Sequence, residues 1–425
     1  MTRRRRAGFA AYLSFGMGIG CASTSAPPGA PAGADAGADA GSGTGADGGP
    51  FDAGSPIPPC GDAGPTFTTL PIAANEFYAF RALGFMSPPI HVFPAKHSAF
   101  TINIPDSGVA YRSIYFPGPA WVREITATKQ TSFDGGAIDG GTGFQLTFYP
   151  CAEYRSYFNH IGVISESLRA AFDDGGKSCV TIFPGDGYGM EKCTNTSLMV
   201  PVDAGEFVGI SDGYAGVDFG AIDYRLPPAP FINLSHYDGT YPYYTSPALS
   251  FAEPVKSQLL ARIGSVDGTK IRTAPPVVGT HMQDIAGTAQ GNWFFPGTYV
   301  STNGEVNNAI ALVHDMVDPT QPIFSIGNAL AGVSQGLATF PVEATGQTNR
   351  DFNLVRPDGG VFCYERFVSG QTDGGQNVGW SGAAVLLVTM PSDSTLRVER
   401  VAVDAGLCSS VPLWAFTDAG TTYER

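Results

Sequence analysis

The chain has 425 residues and a net charge of −14, with 15% charged residues, 55 glycines and 33 prolines. An acidic balance of this size excludes nucleic acid, or an anionic lipid surface, held through a general basic field. Few charges with abundant Gly, Pro and aromatics suit an all-β extracellular protein rich in turns, and most of the chain is long enough to bury a core.

Arg3 to Arg6 form a positive stretch, and Ala7 to Gly20 form an apolar one too short to span a bilayer as a helix. Gly18-Ile19-Gly20-Cys21 follows. It resembles a bacterial lipoprotein cleavage site, in which a small residue precedes the cysteine that receives lipid; Gly18 stands where that pattern has leucine. The resemblance implies a lipoprotein signal peptide over residues 1–21 and lipid attachment at Cys21. It also implies export to the cell envelope, at the outer membrane if the host has one, since Ala22 rather than aspartate follows the cysteine. An ordinary secretory signal is the alternative. Residues 22–64 are nearly all Ala, Gly, Pro, Ser, Thr and Asp. Such a segment cannot bury enough apolar surface to offset its ordering entropy, so it reads as a disordered tether. Membrane contact is expected through the lipid anchor only.

With Cys21 carrying lipid, six cysteines remain: Cys60, Cys151, Cys179, Cys193, Cys363 and Cys408. An even number in an exported chain points to disulfides. Several pairings are open. Sequence proximity favours Cys179 with Cys193 and Cys363 with Cys408, leaving Cys60 with Cys151. No CxxC occurs, which argues against a zinc ribbon.

Residues 65–252 read as a first β-domain. Phe100 to Ile104 and Phe144 to Tyr149 alternate apolar and polar residues, and Glu124 to Thr128 reads as another half-buried strand. Ser165 to Phe172 is the one helical stretch, with Ser165 as its cap. The runs Asp134-Gly135-Gly136, Asp139-Gly140-Gly141, Asp173-Asp174-Gly175-Gly176 and Asp373-Gly374-Gly375 read as turns and loop insertions.

Three segments carry what chemistry this region offers. Pro88 to Phe100 holds His91 and His97 in an apolar, aromatic run. Tyr157-Phe158-Asn159-His160-Ile161 comes next, then Val202-Asp203-Ala204-Gly205-Glu206-Phe207-Val208-Gly209 and Val217-Asp218-Phe219-Gly220-Ala221. In order and spacing these resemble the LytM-type (M23) zinc endopeptidases over roughly residues 85–225. A hydrolytic zinc site needs about three protein ligands and one open position for water, whose pKa the metal lowers. That family supplies a histidine, an aspartate four residues later and the second histidine of a His-x-His strand, beside an active-site histidine. Carried over, the resemblance implies His97, or His91, and Asp218 as metal positions and His160 as the catalytic histidine. The other ligand positions are changed. Thr101 follows His97 where the aspartate should be, Ala95 follows His91, and Gly216 and Asp218 replace the two strand histidines. The competing reading is structural: partly buried, hydrogen-bonded histidines at 91 and 97, His160 hydrogen-bonding across the cleft, and Asp218 either capping a turn or accepting from His97.

Residues 253–425 read as a second β-domain, a sandwich or barrel packed on the first. Ser257 to Ile263 reads as a short helix or linker element. Gly287 to Trp293 reads as a turn entering an aromatic strand. Ala309 to Asp315, Ala383 to Met390 and Leu396 to Val401 read as strands. Trp293, Phe294, Phe295, Tyr299 and Tyr364 are either core or a sugar-stacking platform. His281 and His314-Asp315 have no Gly-x-Ser-x-Gly elbow to complete a hydrolase triad.

The expectation is therefore a surface-anchored bacterial lipoprotein with an inactive peptidase-like domain. It would act as a binding or scaffold module toward peptidoglycan or an extracellular peptide or glycan. No cofactor is expected, zinc being the candidate if one is held. The alternatives are a divergent zinc-dependent endopeptidase acting on cell-wall or extracellular peptides, and a structural surface protein with no ligand.

Overall fold

A computed structural model describes residues 56–88, 90–102, 111–132, 137–182, 188–213, 216–300, 305, 307–368 and 383–425. The signal segment, Cys21, the tether to residue 55, and the Asp-Gly-Gly runs at 134–136 and 373–375 lie outside them. The protein is all-β, built on two antiparallel sheets, one of them a half-barrel.

The first sheet takes its strands from residues 77–245. They are β1 (Phe77–Arg81), β2 (Ser98–Ile102), β3 (Ser113–Tyr115), β4 (Ala120–Ser132), β5 (Ala137–Cys151), β6 (Tyr154–Ile164), β7 (Ser178–Ile182), β8 (Tyr188–Asn195), β9 (Val200–Val202), β10 (Phe207–Ser211), β11 (Gly216–Asp223) and β12 (Tyr244–Thr245). The main path runs β1-β2-β11-β6-β5-β4-β8-β7, so β2, which His97 directly precedes, lies beside β11, and β11 beside β6. The alternation read in the sequence sets the faces. Phe144, Leu146 and Phe148 enter the core, while Gln145 and Thr147 point the other way. Phe219 sits at the centre of an aromatic cluster, its ring 4.8 Å from Phe158, 6.1 Å from Phe100 and 6.3 Å from Phe251. Helix α1 (Glu166–Asp173) starts where Ser165 accepts from the Leu168 N–H. It ends at Asp174, where Gly175 and Gly176 take positive φ. Asp139-Gly140-Gly141 falls within the bounds of β5, at a register shift where the pairing with β4 steps from Lys129–Thr142 to Thr131–Ala137, so the run is an insertion in the hairpin.

The second sheet follows from β13 (Gly291–Phe294), β14 (Ala309–His314), β15 (Pro322–Ile326), β16 (Gly336–Thr339), β17 (Phe362–Tyr364), β18 (Ala384–Ser392), β19 (Thr395–Ala402) and β20 (Thr421–Glu424). Its order is β16-β15-β14-β13-β20-β19-β18-β17. The unbroken apolar runs of β14 and β18 reflect burial on both faces. Ile310 and Leu312 enter the sheet's own core, whereas Ala309, Ala311 and Val313 meet the first unit. Leu386 and Val388 face that core, and Val385 and Leu387 face the Cys363–Cys408 side.

Three disulfides form, Cys60–Cys151, Cys179–Cys193 and Cys363–Cys408, the pairing that proximity favours. Two boundaries differ from the sequence reading. Ile57 is buried and Cys60 is bonded to Cys151, so the last residues assigned to the tether belong to the folded unit. Helix α2 (Val255–Leu260) and the chain after it contribute Leu259, Ile263 and Val278 to the first core, so that unit's packing runs well past residue 252. Among the described residues no helix is long and apolar enough to cross a membrane.

Candidate functional site

The segment before β2 doubles back on itself. Gly84 donates to the Ala95 carbonyl, Ala95 to that of Phe85, and Ser87 and His91 exchange backbone hydrogen bonds. Gly84 is required there: its φ is 91°, and a Cβ would lie 1.9 Å from the Thr280 carbonyl oxygen. This fold-back brings His91 and His97 together, their Nε2 atoms 3.2 Å apart. Both rings stand edge-on to Phe85, which carries the Arg81 guanidinium 3.5 Å above its centroid.

Strand register brings the other two residues to the same place. Asp218 on β11 lies opposite Ala99 on β2, and Phe219 opposite Phe158 on β6. Between the pairs Leu146–Phe158 and Phe144–Ile161, β5 has only Gln145 while β6 has both Asn159 and His160. This is a β-bulge, a device that re-aims a side chain. His160 takes φ 65°, a left-handed conformation costing roughly 1–2 kcal/mol for a residue with a Cβ. The Asp212 N–H donates to its carbonyl and holds that conformation. Gly162 lets this chain approach, since a Cβ there would lie 2.8 Å from the Asp212 Cα.

The resulting arrangement is a row of acid–base groups. His160 has Nδ1 3.1 Å from Asp212 Oδ2 and Nε2 3.5 Å from Asp218 Oδ2. Asp218 Oδ1 lies 3.5 Å from His97 Nδ1, which is also 3.1 Å from the Ser98 carbonyl. The carbonyl can only accept, so the proton of His97 is assigned to Nδ1, and its Nε2 presents a lone pair toward His91. Burial depresses His91, helped by His97, to about 3, and burial also lowers His97 against the pull of Asp218. Both are neutral near pH 7. His160 goes the other way: partial burial is outweighed by the hydrogen bond to Asp212 and the charges of Asp218 and Asp212, which raise it. Burial works against ionising Asp218, but the imidazoles of His97, His160 and His91 hold its pKa below the usual value. His91, His97, His160 and Asp218 line an open cleft of about 800 Å³. The site therefore offers a hydrogen-bond donor and acid at His160, an anion at Asp218 and a neutral imidazole pair.

The residues fit a zinc ion only in part. Two imidazole nitrogens 3.2 Å apart match two ligands of one tetrahedral zinc, for which about 3.3 Å is expected at Zn–N distances of about 2.0–2.1 Å. No third ligand converges, however. Among the described residues, the sole His/Cys/Asp/Glu trio with ligand atoms within 4.8 Å of one another is Cys179, Glu191 and Cys193, whose sulfurs are bonded to each other. Asp218 approaches His97 from its Nδ1 side, not from the Nε2 side that faces His91. Thr101, in the missing aspartate's place, pairs with Gly216 across β2 and β11.

Of the residues marked in the sequence, His91, His97, His160 and Asp218 do meet. Asp212, Arg81, Phe85, Lys96 and Arg155 were missed. Asp212 carries no motif; only the pairing of β10 with β6 brings it to His160. The five aromatics do not form one platform: Trp293, Phe294 and Tyr364 are buried in the cores around the second sheet, Phe295 is partly buried against one of them, and Tyr299 alone is exposed.

No family model matches the chain, and no curated protein matches it. A solved structure of Helicobacter pylori Csd3 is similar over 40% of this chain and 38% of that one, at 11% identity and a TM-score of 0.22. A likeness of that size bears neither on fold nor on activity.

Proposed function

We propose that the protein is an exported, lipid-anchored component of the bacterial cell envelope. Its first β-unit binds wall or extracellular peptide in a peptidase-shaped cleft without cleaving it. The observation that supports this is the cleft itself. His97, Asp218 and His160 face an open space of about 800 Å³, yet among the described residues no three metal-ligand atoms converge there. A cleft that keeps its hydrogen-bonding groups without a complete ligand set retains the means to hold a carbonyl-rich ligand. Three disulfides suit an oxidising compartment. Co-sedimentation of the full-length protein with purified peptidoglycan sacculi tests the binding, and a protein left entirely in the supernatant ends the proposal. Labelling with radioactive palmitate tests the anchor: label is expected on the wild type and lost in Cys21→Ser.

A zinc-dependent endopeptidase is the second reading, and the 3.2 Å separation of the His91 and His97 Nε2 atoms favours it. Metal analysis of protein purified without chelator decides between the two. Binding without cleavage predicts far less than one zinc per chain. One zinc per chain, lost in His97→Ala, would establish the second.

A further inference from the structure

The charge lining the cleft is the reverse of the charge on the molecule. The chain carries −14, yet Arg81, Lys96 and Arg155 face the cleft against the carboxylates Glu124 and Asp218. His160, between its two carboxylates, adds a proton-holding group. Among the described residues, neither Lys96 nor Arg155 has a carboxylate within 4.0 Å. Both sit by Tyr244. The Lys96 ammonium lies 5.1 Å from the centroid of that ring and 5.4 Å from that of Tyr241. Arg155 is held by a hydrogen bond to the Tyr149 side chain and has Tyr244 among its electrostatic neighbours. Asp238 and Glu305 feel the Lys96 charge from beyond 4.0 Å, and aromatic rings position a cation without neutralising it, so Lys96 and Arg155 can each still take a direct contact from a ligand. From there Tyr157, 6.4 Å from Tyr244 and 6.4 Å from His97 between centroids, leads to the His160–Asp218 end.

The floor between the ends has a repeat of its own. Gln145 and Thr147 on β5, and Arg155, Tyr157 and Asn159 on β6, line the cleft at every second residue. Side chains at that spacing recur about every 6.6–6.8 Å, the same repeat as in an extended peptide laid over them. The amides of Gln145 and Asn159 can each donate and accept, as peptide groups require.

We infer that the cleft recognises an extended peptide bearing a free carboxylate, with the carboxylate at Lys96 and Arg155 and a peptide carbonyl at His160. This rests on the binding role proposed above and names its ligand class. Three preparations of sacculi separate the two ideas in a sedimentation assay with the full-length protein. One is native, one has its carboxylates converted to amides by carbodiimide and ammonia, and one is stripped of peptides by an amidase. The expected result is binding to native sacculi, at least tenfold weaker binding to amidated ones, and none to bare glycan. Lys96→Gln with Arg155→Gln is expected to weaken native binding by a similar factor and to remove its salt dependence. Equal binding to native and amidated sacculi would overturn the carboxylate assignment and leave the binding role standing. Retention on bare glycan would overturn the peptide assignment. No binding to native sacculi would remove both. The amidated arm uses unaltered protein, so it decides the matter even if the double variant fails to fold.

Discussion

His160 shows at the scale of one residue how two carboxylates favour the charged form of a histidine. Asp212 and Asp218 flank its two ring nitrogens, and its pKa is raised. Its contribution to stability is present below the ordinary histidine range and lost as pH rises through the raised folded value. In an NMR titration His160 is expected to titrate above its ordinary value of 6.5, and Asp212→Asn to bring the midpoint down. An unmoved midpoint would show that Asp212 does not hold the proton. His91 has the opposite sign. Its folded pKa is about 3, so it stabilises the fold above the unfolded value near 6.5, and that stability fades as pH falls from 6.5 to 3. The limit on the loss is about 5 kcal/mol, from 1.36 kcal/mol per pH unit. Urea midpoints across that window should fall with acid, and less steeply in His91→Phe. Gly220 pairs with Tyr157 across β11 and β6, and a Cβ there would lie 2.1 Å from the tyrosine ring. Gly220→Ala must therefore displace Tyr157 from the cleft, weakening ligand binding severalfold while the rest of the sheet stays folded. Unchanged affinity would place Tyr157 outside the ligand's path.

At the scale of elements, two features stabilise the first unit. One is the aromatic cluster beneath the site strands, where β2, β6 and β11 contribute Phe100, Phe158 and Phe219. Phe219→Ala is expected to cost about 3–5 kcal/mol in chemical denaturation, the usual penalty for emptying a buried phenylalanine site. The other is the disulfides. Cys60–Cys151 closes a separation of 91 residues and Cys179–Cys193 one of 14. On chain entropy alone, removal should cost about 4.5 kcal/mol for the first and about 3 kcal/mol for the second. The first ties the N-terminal segment to the β5–β6 hairpin, whereas the second only pins the β7–β8 edge. An equal or reversed order in paired Cys→Ala variants would show that strain or residual structure outweighs loop closure.

At the scale of the molecule, the second sheet supports the first unit's site from behind. The fold-back loop turns His91 toward the cleft, and Met86, Val92 and Phe93 toward the second sheet. Phe93 packs 4.8 Å from Phe294 between centroids, and its N–H donates to Glu305 at 2.9 Å. Phe294→Ala is expected to lower cleft affinity without touching a cleft residue, and to split a single thermal transition into two. A single transition with unchanged affinity would show that the loop holds its shape without the second sheet.

The sequence by itself determined the fold class, the two β-units, the capped helix at Ser165 and the faces of the main strands. These follow from period-2 burial and turn chemistry, which are local properties. It also marked His91, His97, His160 and Asp218, because their flanking aromatics and glycines make recognisable segments. Where those segments go is not local. The bulge at Asn159 and His160, the approach of Asp212 and the absence of a third converging ligand depend on register between strands far apart in the chain. The same holds for the limits of the first core. Leu259 and Ile263 lie beyond residue 252, where the sequence reading ended the first unit, yet they pack into its core. The cationic end of the cleft was the least legible of all. Lys96 and Arg155 are ordinary residues in sequence, and only the tertiary structure sets both near Tyr244 with no carboxylate of the described residues within 4.0 Å.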